Sequence, residues 1–560
     1  MYETILSKDG FRDGFNLYIK RHDGTGATCD DFHSAMSDAN PDVDLIQFRN
    51  WYSTAGTPTV FFSYHHNDNQ QFKLTLSQKV VNDENDDNTL LHIPVAVGLL
   101  DKNTGEEIVS TVVLHLKERT QTFVFDDLPT NNGVVPSLLR DFSAPVYLMP
   151  SSDHQLEELE EEQRLAFLAA HDTDGFNKWE ATQELYARYI YCLMTMTEVK
   201  KKDRTSVLEQ YVMTAFGRAL RDADMGPSSK AYLLNLPSEF VLSRGLDTIK
   251  DPIRLLDARK EVMQRIAQTF SQDIQREHDT LTSIVAKATT STVITNAKSR
   301  AHRALRNQFL EYLCSMQQTS SEQEIAAQLA MKHYDTAVCF TDQFLAFRQL
   351  VSMSSVRAAS YRDEVTHKFY KLAKESNNNV IMNKFFQVQA LADVDDALEL
   401  VQALTKHPDF RAPGRFRALI ASFTMNTRAF HTQNGYRFIG NIIRQMDKQA
   451  PSLAVELANK LASWSKYEGT LRSEWMKEEL HQIKSALGPS ISESLLETVA
   501  RALPKDYQPP KNNKKDKAKM SDRSKTSNND RFGGKKREKK SNKKKNKQMA
   551  TINKKKKGFS

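Results

Sequence analysis

The chain has only four cysteines in 560 residues, Cys29, Cys192, Cys314 and Cys339, and no two of them lie close together in sequence. That scatter argues against a disulfide-stapled secreted scaffold, a zinc ribbon and a redox Cys-x-x-Cys motif, and a reducing compartment is expected. No apolar run approaches the twenty or so residues needed to cross a bilayer. Met1-Tyr2-Glu3-Thr4 also lacks the basic-then-apolar start of a signal peptide, so a soluble cytoplasmic protein is expected. Catalytic signatures are missing too. A zinc hydrolase of the HExxH type needs two histidines four apart on one helix face with a glutamate between them, and this sequence has no such pair. There is no GxSxG elbow, no GxxxxGKS/T phosphate loop and no GxGxxG; Gly24-Thr25-Gly26 lacks the third glycine and reads as a helix-to-helix turn.

Glycine is absent altogether from Leu246 to Pro413, a stretch of 168 residues with three prolines. Such a stretch is helical. Leu305, Phe309, Leu310 and Leu313 recur at helical spacing behind Arg303, and Thr319-Ser320-Ser321 and Ser376-Asn377-Asn378-Asn379 mark short breaks. Many helices with short connections point to stacked antiparallel pairs, an irregular solenoid without a fixed sequence period.

Period-two patterning is confined to Thr57–Pro150. Phe72, Leu74 and Leu76 alternate with Lys73, Thr75 and Ser77, and Leu91, Ile93, Val95, Val97 and Leu99 alternate with His92, Pro94, Ala96 and Gly98. Both strands are expected to bury one face and wet the other, with Pro94 at an edge or a bulge. Turns are expected at Asn67-Asp68-Asn69, at Asn82 to Asn88, at Asp101 to Gly105 and at Pro129 to Gly133. Seven or so short strands favour an immunoglobulin-like antiparallel sandwich. The fold class is therefore α+β multidomain, an immunoglobulin-like β-sandwich followed by a large all-α solenoid-like domain.

Before the sandwich, Phe11, Phe15, Tyr18 and Ile19 form one apolar helix face ending at Asp23-Gly24. No earlier segment of the chain can cover that face, so it packs on later elements or lacks a neighbour. A second helix starts at an N-cap, Thr28, with Asp30 and Asp31 in its first turn and Phe32 and Met36 facing inward. Of 77 Lys and Arg and 70 Asp and Glu, 22 and 5 lie in residues 505–560, so the net charge of +7 splits into a tail of +17 and a body of −10. The tail, with Lys535-Lys536-Arg537 and Lys543-Lys544-Lys545, has too little apolar surface to fold. Its charge density suits RNA, an anionic membrane, or a nuclear or nucleolar import receptor, or else merely solvates the chain. Of the other polar clusters, the adjacent His65-His66 point to opposite strand faces or lie in a turn and read as solvated. Asp393-Val394-Asp395-Asp396 reads as an N-cap plus an acidic first turn rather than a cation site, and Glu157 to Glu162 as the wet face of a helix start.

Taken in order, several runs resemble the zinc metallo-aminopeptidases typified by alanyl aminopeptidase. They are Arg21-His22-Asp23-Gly24 with Thr28 to Phe32, Trp51-Tyr52 with Gly56-Thr57-Pro58, Leu74 to Gln78, Leu91 to Pro94, Gln121 to Phe125 and Phe142 to Val146. Further on come Asp174 with Phe176 and Trp179-Glu180-Ala181, Lys384 with Phe386 and Gln389-Ala390, His407-Pro408 with Phe410, and Arg415 to Ile420. The resemblance covers about residues 1–503 and only the C-terminal portion of the family's architecture. It implies that 1–56 are the helical remnant of a thermolysin-like catalytic domain, 57–150 the sandwich and 151–503 a helical domain that closes over the active site, with 504–560 the foreign basic tail. The family's GxMEN and HExxH motifs and its zinc are absent from this chain, so it holds no cofactor and is expected to be inactive alone.

The family's reaction is zinc-dependent hydrolysis of N-terminal residues from peptides. Any peptide substrate is then reached only through a missing catalytic domain or subunit, and the chain is a fragment, a split subunit or the product of a mis-started gene. The resemblance also implies that Arg417 faces a substrate channel. The family's Gln and Arg after an Asn-Pro pair are replaced here by Ser452 and Glu456 after Pro451, which exchanges a cation for an anion. The alternative is a pseudoenzyme-like scaffold that binds a partner, with the tail as a nucleic-acid or nuclear-targeting element.

Overall fold

The computed structural model describes residues 1–66, 71–80, 89–128, 133–151, 158–195, 202–287, 295–316, 319–411, 413–504 and 507. The turns expected at 67–69, 82–88 and 129–132, and the basic runs of the tail from Lys535 to Lys545, lie outside these residues.

Helices α1 (Tyr2–His22) and α2 (Cys29–Ala39) form an antiparallel pair at the start of the chain. Thr28 caps α2 in a reciprocal box: its hydroxyl accepts from Asp31 N at 3.2 Å, and the Asp31 carboxylate accepts from Thr28 N at 2.8 Å. The packing face of α1 is the expected one only in part: Phe11 packs on the core of the helix pair and the Tyr18 ring lies 5.0 Å from Phe32. Leu6, Gly10 and Gly14, at i, i+4 and i+8, turn toward α2, and any Cβ on Gly14 would overlap Met36. Phe15 and Ile19 are 40% and 43% exposed instead. Close backbone approach selects glycine for the contact, and Phe15 and Ile19 are left on the outside.

Seven strands follow: β1 (Thr59–His66), β2 (Phe72–Lys79), β3 (Ile93–Asp101), β4 (Glu107–Leu116), β5 (Thr120–Phe125), β6 (Val134–Leu138) and β7 (Tyr147–Pro150). They form two sheets, β5-β2-β1-β7 and β4-β3-β6, antiparallel throughout except for the β1–β7 pair. The alternation expected for β2 holds, with Phe72, Leu74 and Leu76 buried and Lys73 exposed. For β3 it fails, because every residue from Ile93 to Asp101 is buried, as is His92. β3 is the central strand of its sheet, and its outer face is covered: Ser143 Oγ accepts from Ala96 N at 3.0 Å, and the Arg140 guanidinium lies on Gly98. Pro94 pairs only with β4, since β6 joins β3 from Val97 onward, so its missing N–H costs no ladder bond.

The sandwich joins the helices through a polar network buried between them. The side chain of Arg140 is 2% exposed and donates from Nε to Ser137 Oγ (2.8 Å), from Nη1 to Glu107 and Thr111, and from Nη2 to Asp172 Oδ1 (3.1 Å). Asn177 adds bonds to Ser137 Oγ and Leu138 O. Leu139, Asp141 and Phe142 around it all have φ between 50° and 60°, a conformation costing about 1–2 kcal/mol per L-residue. The network holds the loop there, helped by Asp141 N donating to Asp174 and by the Phe142 ring lying 5.2 Å from Phe176.

Helices α3 (Glu158–His171), α4 (Gly175–Met194), α5 (Lys202–Arg221), α6 (Pro227–Leu233), α7 (Glu239–Arg244), α8 (Pro252–Thr269), α9 (Ser271–Ala286) and α10 (Ala297–Ser315) share one hydrophobic core. Helices α11 (Ser320–Asp335), α12 (Phe340–Val351), α13 (Val356–Glu375), α14 (Asn379–Ala390), α15 (Ala397–Leu404), α16 (Pro413–Phe416), α17 (Thr427–Phe430), α18 (Gln433–Met446), α19 (Pro451–Ala462), α20 (Leu471–Leu487) and α21 (Glu493–Ala502) build a second. Leu246 and Leu329 pack against both. Leu305, Phe309, Leu310 and Leu313 are buried, as the helical spacing requires.

Of the acidic start of α3, Glu157 lies outside the described residues and Glu160 is exposed, but Glu161 and Glu162 are not a wet face. Glu162 is fully buried and Glu161 nearly so, because Arg164 donates to both oxygens of Glu161 (2.7 and 2.8 Å) and Arg204 to Glu162. None of the helices among the described residues is long and apolar enough to cross a membrane.

Two outcomes are expected. Arg140→Met leaves Asp172 buried and unpaired and should cost about 3–5 kcal/mol in urea unfolding, with the Arg140→Met/Asp172→Leu double variant losing less than the two single variants together. Acid should also destabilise the fold. Burial, reinforced by the Arg306 guanidinium, holds the His333 ring down to about 2, and the ring donates to Asn307 Oδ1 at 2.8 Å. An unfolded histidine takes up its proton near pH 6.5, so this contribution is complete above that pH and is lost as pH falls below it. Between pH 7 and 5, a His333→Gln variant should lose about 2 kcal/mol less stability than the parent in urea melts.

Candidate functional site

Arg417 opens a π-turn, Arg417–Ala421, that continues directly from α16. The widened turn buries Leu419 and Ile420 and leaves the Arg417 side chain 63% exposed. Such single π-turns recur where a helix re-aims a side chain. Across from it, α19 begins at Pro451 with its fixed φ at the first helical position and carries Glu456 one turn on. Arg417 donates from Nε (3.1 Å) and Nη2 (2.8 Å) to the same oxygen of Glu456. Arg417 and Glu456, both singled out in the sequence, therefore form one pair. At this exposure the pair contributes little to stability. It neutralises the Arg417 guanidinium, so a carboxylate or a peptide carbonyl that approached Arg417 would compete with Glu456.

Asp393 is not part of an N-cap. It accepts from Arg428 Nε at 2.7 Å and pairs with Lys260, and its own N–H donates to Ser352 Oγ. Arg428 also reaches Asp257 Oδ1 on α8 at 2.8 Å. Asp396 stands at the N-cap of α15 but makes no side-chain cap bond. Asp393 is thus a cross-array ion-pair partner, which no local spacing could signal because Arg428 and Lys260 lie on remote helices. His65 and His66 end β1, on opposite faces. Among the described residues no group of three or more His, Cys, Asp and Glu side chains is placed to hold a metal ion. All four cysteines are free, and burial pushes the Cys314 thiol up, away from reactivity.

Residues 56–151 match the family described as a domain of unknown function (DUF3458) with an Ig-like fold, and residues 162–504 match a domain of unknown function (DUF3458_C) made of ARM repeats. The chain is 32% identical over 517 residues to aminopeptidase N of Escherichia coli (strain K12), 30% over 518 to that of Haemophilus influenzae, and 32% over 514 to that of Caulobacter vibrioides. Each match takes in 90% of this chain and 55% of the relative, so the chain spans about half the length of the curated relatives it matches. The crystal structure of Legionella pneumophila aminopeptidase A in complex with aspartic acid superposes with a TM-score of 0.70 at 25% identity, over 89% of this chain and 55% of that one.

Replacing Arg417 or Glu456 by alanine should change the unfolding free energy by less than about 1 kcal/mol in denaturant titrations, in contrast to the buried Arg140 pair. With its Ig-like sandwich and its ARM-repeat array both matched, the chain belongs to the aminopeptidase N family, as the family's C-terminal portion.

Proposed function

We propose that the chain supplies the joint and lid of a zinc aminopeptidase, a protein that removes N-terminal residues from peptides, and that it has no peptidase activity alone. The observation that carries this reading is the uncovered apolar surface of the first 56 residues. Phe15 and Ile19 on α1, Ile46 (84% exposed) and Tyr52 (45%) stand open beside a small core of Leu6, Met36, Leu45 and Phe48. A helical pair with so small a core of its own needs a neighbour. In the relatives, nearly half of the length lies outside the matched region, enough for a further domain to lie against that surface. The sandwich then acts as a spacer stiffened by Arg140, and the helical array as the cover.

Zinc does not fit the residues described in this chain, which bring no three ligands together. Metal chemistry in the assembled enzyme would rest on the partner portion. Within the array, Arg417 and Glu456 would face the peptide, the pair exchanging partners as the peptide enters. The free thiols suit a reducing compartment, and we assign the chain to the cytoplasm.

A second reading, a partner-binding scaffold with a nucleic-acid-binding tail, is favoured by the 22 Lys and Arg of residues 505–560. The two separate in one pair of measurements. Purified chain supplied with zinc and alanyl or leucyl p-nitroanilide should show no turnover and no stoichiometric zinc; turnover with one zinc per chain would sink the lid reading. RNA binding that weakens steeply with salt and disappears on deleting residues 505–560 would favour the scaffold.

A further inference from the structure

Two cavities meet along α10. One, of about 400 Å³, is walled by Arg300 and Gln308 of α10 and by Asp342 of α12. The other, of about 370 Å³, is walled by Lys260 of α8, Ser315 of α10 and Arg348 of α12. Glu311 and Gln349 stand in both walls, so the two cavities adjoin as neighbouring parts of a cleft along α10. Arg300, Ala304, Gln308, Glu311 and Ser315 fall at i, i+4, i+8, i+11 and i+15, a single helix face, which at 1.5 Å per residue runs for about 22 Å. An extended segment of about six residues has that length.

The charges along the cleft are mostly spoken for. Asp342 accepts from Arg306 at 2.6 Å and from Asn307 at 2.9 Å. Asp393 is held by Arg428 and Lys260, Glu239 accepts from the Thr427 hydroxyl, and Arg259 donates to the carbonyls of Pro237 and Leu236. Among the described residues, the guanidinium groups of Arg300 and Arg348 make no hydrogen bond or ion pair; both side chains are exposed, and each stands in the wall of a different cavity. Between them, Gln308 Nε2 is buried without an acceptor. The cleft therefore offers two separated cations and an orphan amide donor, against the single uncommitted carboxylate of Glu311.

We propose that this cleft binds an acidic peptide segment in extended conformation, its carboxylates on Arg300 and Arg348 and a backbone carbonyl on the Gln308 amide. Arg300 and Arg348 line different cavities, which suits an extended ligand better than a small anion. Single-stranded nucleic acid needs aromatic platforms for its bases, and no aromatic side chain lines either cavity. An extended concave surface between stacked helices suits a peptide in this way. The proposal does not depend on the peptidase reading.

The test uses the full chain and a fluorescent N-acetyl hexaglutamate peptide carrying a benzophenone. Anisotropy should show binding that Arg300→Glu and Arg348→Glu each weaken at least tenfold, while Arg357→Glu, on an exposed ion pair elsewhere, leaves it unchanged; photo-crosslinks should map to α10 and α12. Both arginines are exposed, so the variants should keep the parent's melting temperature. Equal affinity in all variants, or crosslinks confined to residues 505–560, would overturn the proposal. A single-stranded RNA binding with the same dependence on Arg300 and Arg348 would overturn the assignment of a peptide.

Discussion

The buried guanidinium of Arg140 is the constraint on which the architecture depends. Taking a cation out of water costs several kcal/mol, and here the cost is met by hydrogen bonds to Ser137, Glu107, Thr111 and Asp172. Burial still pushes the Asp172 carboxyl up despite these partners, so desolvation outweighs the attraction at that residue. Such a network contributes orientation more than net stability. It reaches from the sandwich to the ends of α3 and α4, requires glycine at position 98, and keeps Leu139, Asp141 and Phe142 in left-handed conformations that no apolar contact alone would hold.

A second set of ion pairs does comparable work at the far side of the array. Arg428, between Asp257 and Asp393, ties α17 to α8 across 171 residues of sequence, and Arg472 reaches Asp251 nearby at 3.3 Å. These pairs tie α8, of the first core, to α17 and α20 of the second. The cleft along α10 and α12 borders these pairs, with Lys260 and Asp393 in its wall. The joint and the array are alike in that charges find their partners at long range, Arg140 with Asp172 and Arg428 with Asp257.

Local patterning is legible in the sequence wherever one face meets a core and the other meets water. The strand from Phe72 to Leu76, the helix through Leu305 and Leu313, and the Thr28 cap all follow from spacing alone, and the immunoglobulin-like sandwich and the helical array follow from the same periodicities. What escapes has a common cause. β3 alternates in sequence but is covered on both faces; Glu162 looks solvated but meets Arg204; Phe15 and Ile19 of the α1 stripe stay outside while two glycines make the contact. In each case a segment distant in sequence supplies the covering surface or the countercharge. The candidate site is legible only in part. Arg417 stands out in the sequence, but its pairing with Glu456 joins two helices 39 residues apart.

The sequence by itself determined the class of each segment: strands where apolar residues recur every second position, helices where glycine is absent and apolar residues recur every three or four, and a charge-separated tail after Pro504. Family membership was also written there, in an ordered series of short matches. Tertiary structure alone decided which polar groups are buried together, because the cost of burying a charge is settled by partners from elsewhere in the chain. Arg140 with Asp172 and Arg428 with Asp393 are pairings of that kind. The cleft of Arg300 and Arg348 is set in the same way, since Asp342 and Asp393 in its walls are engaged by other cations.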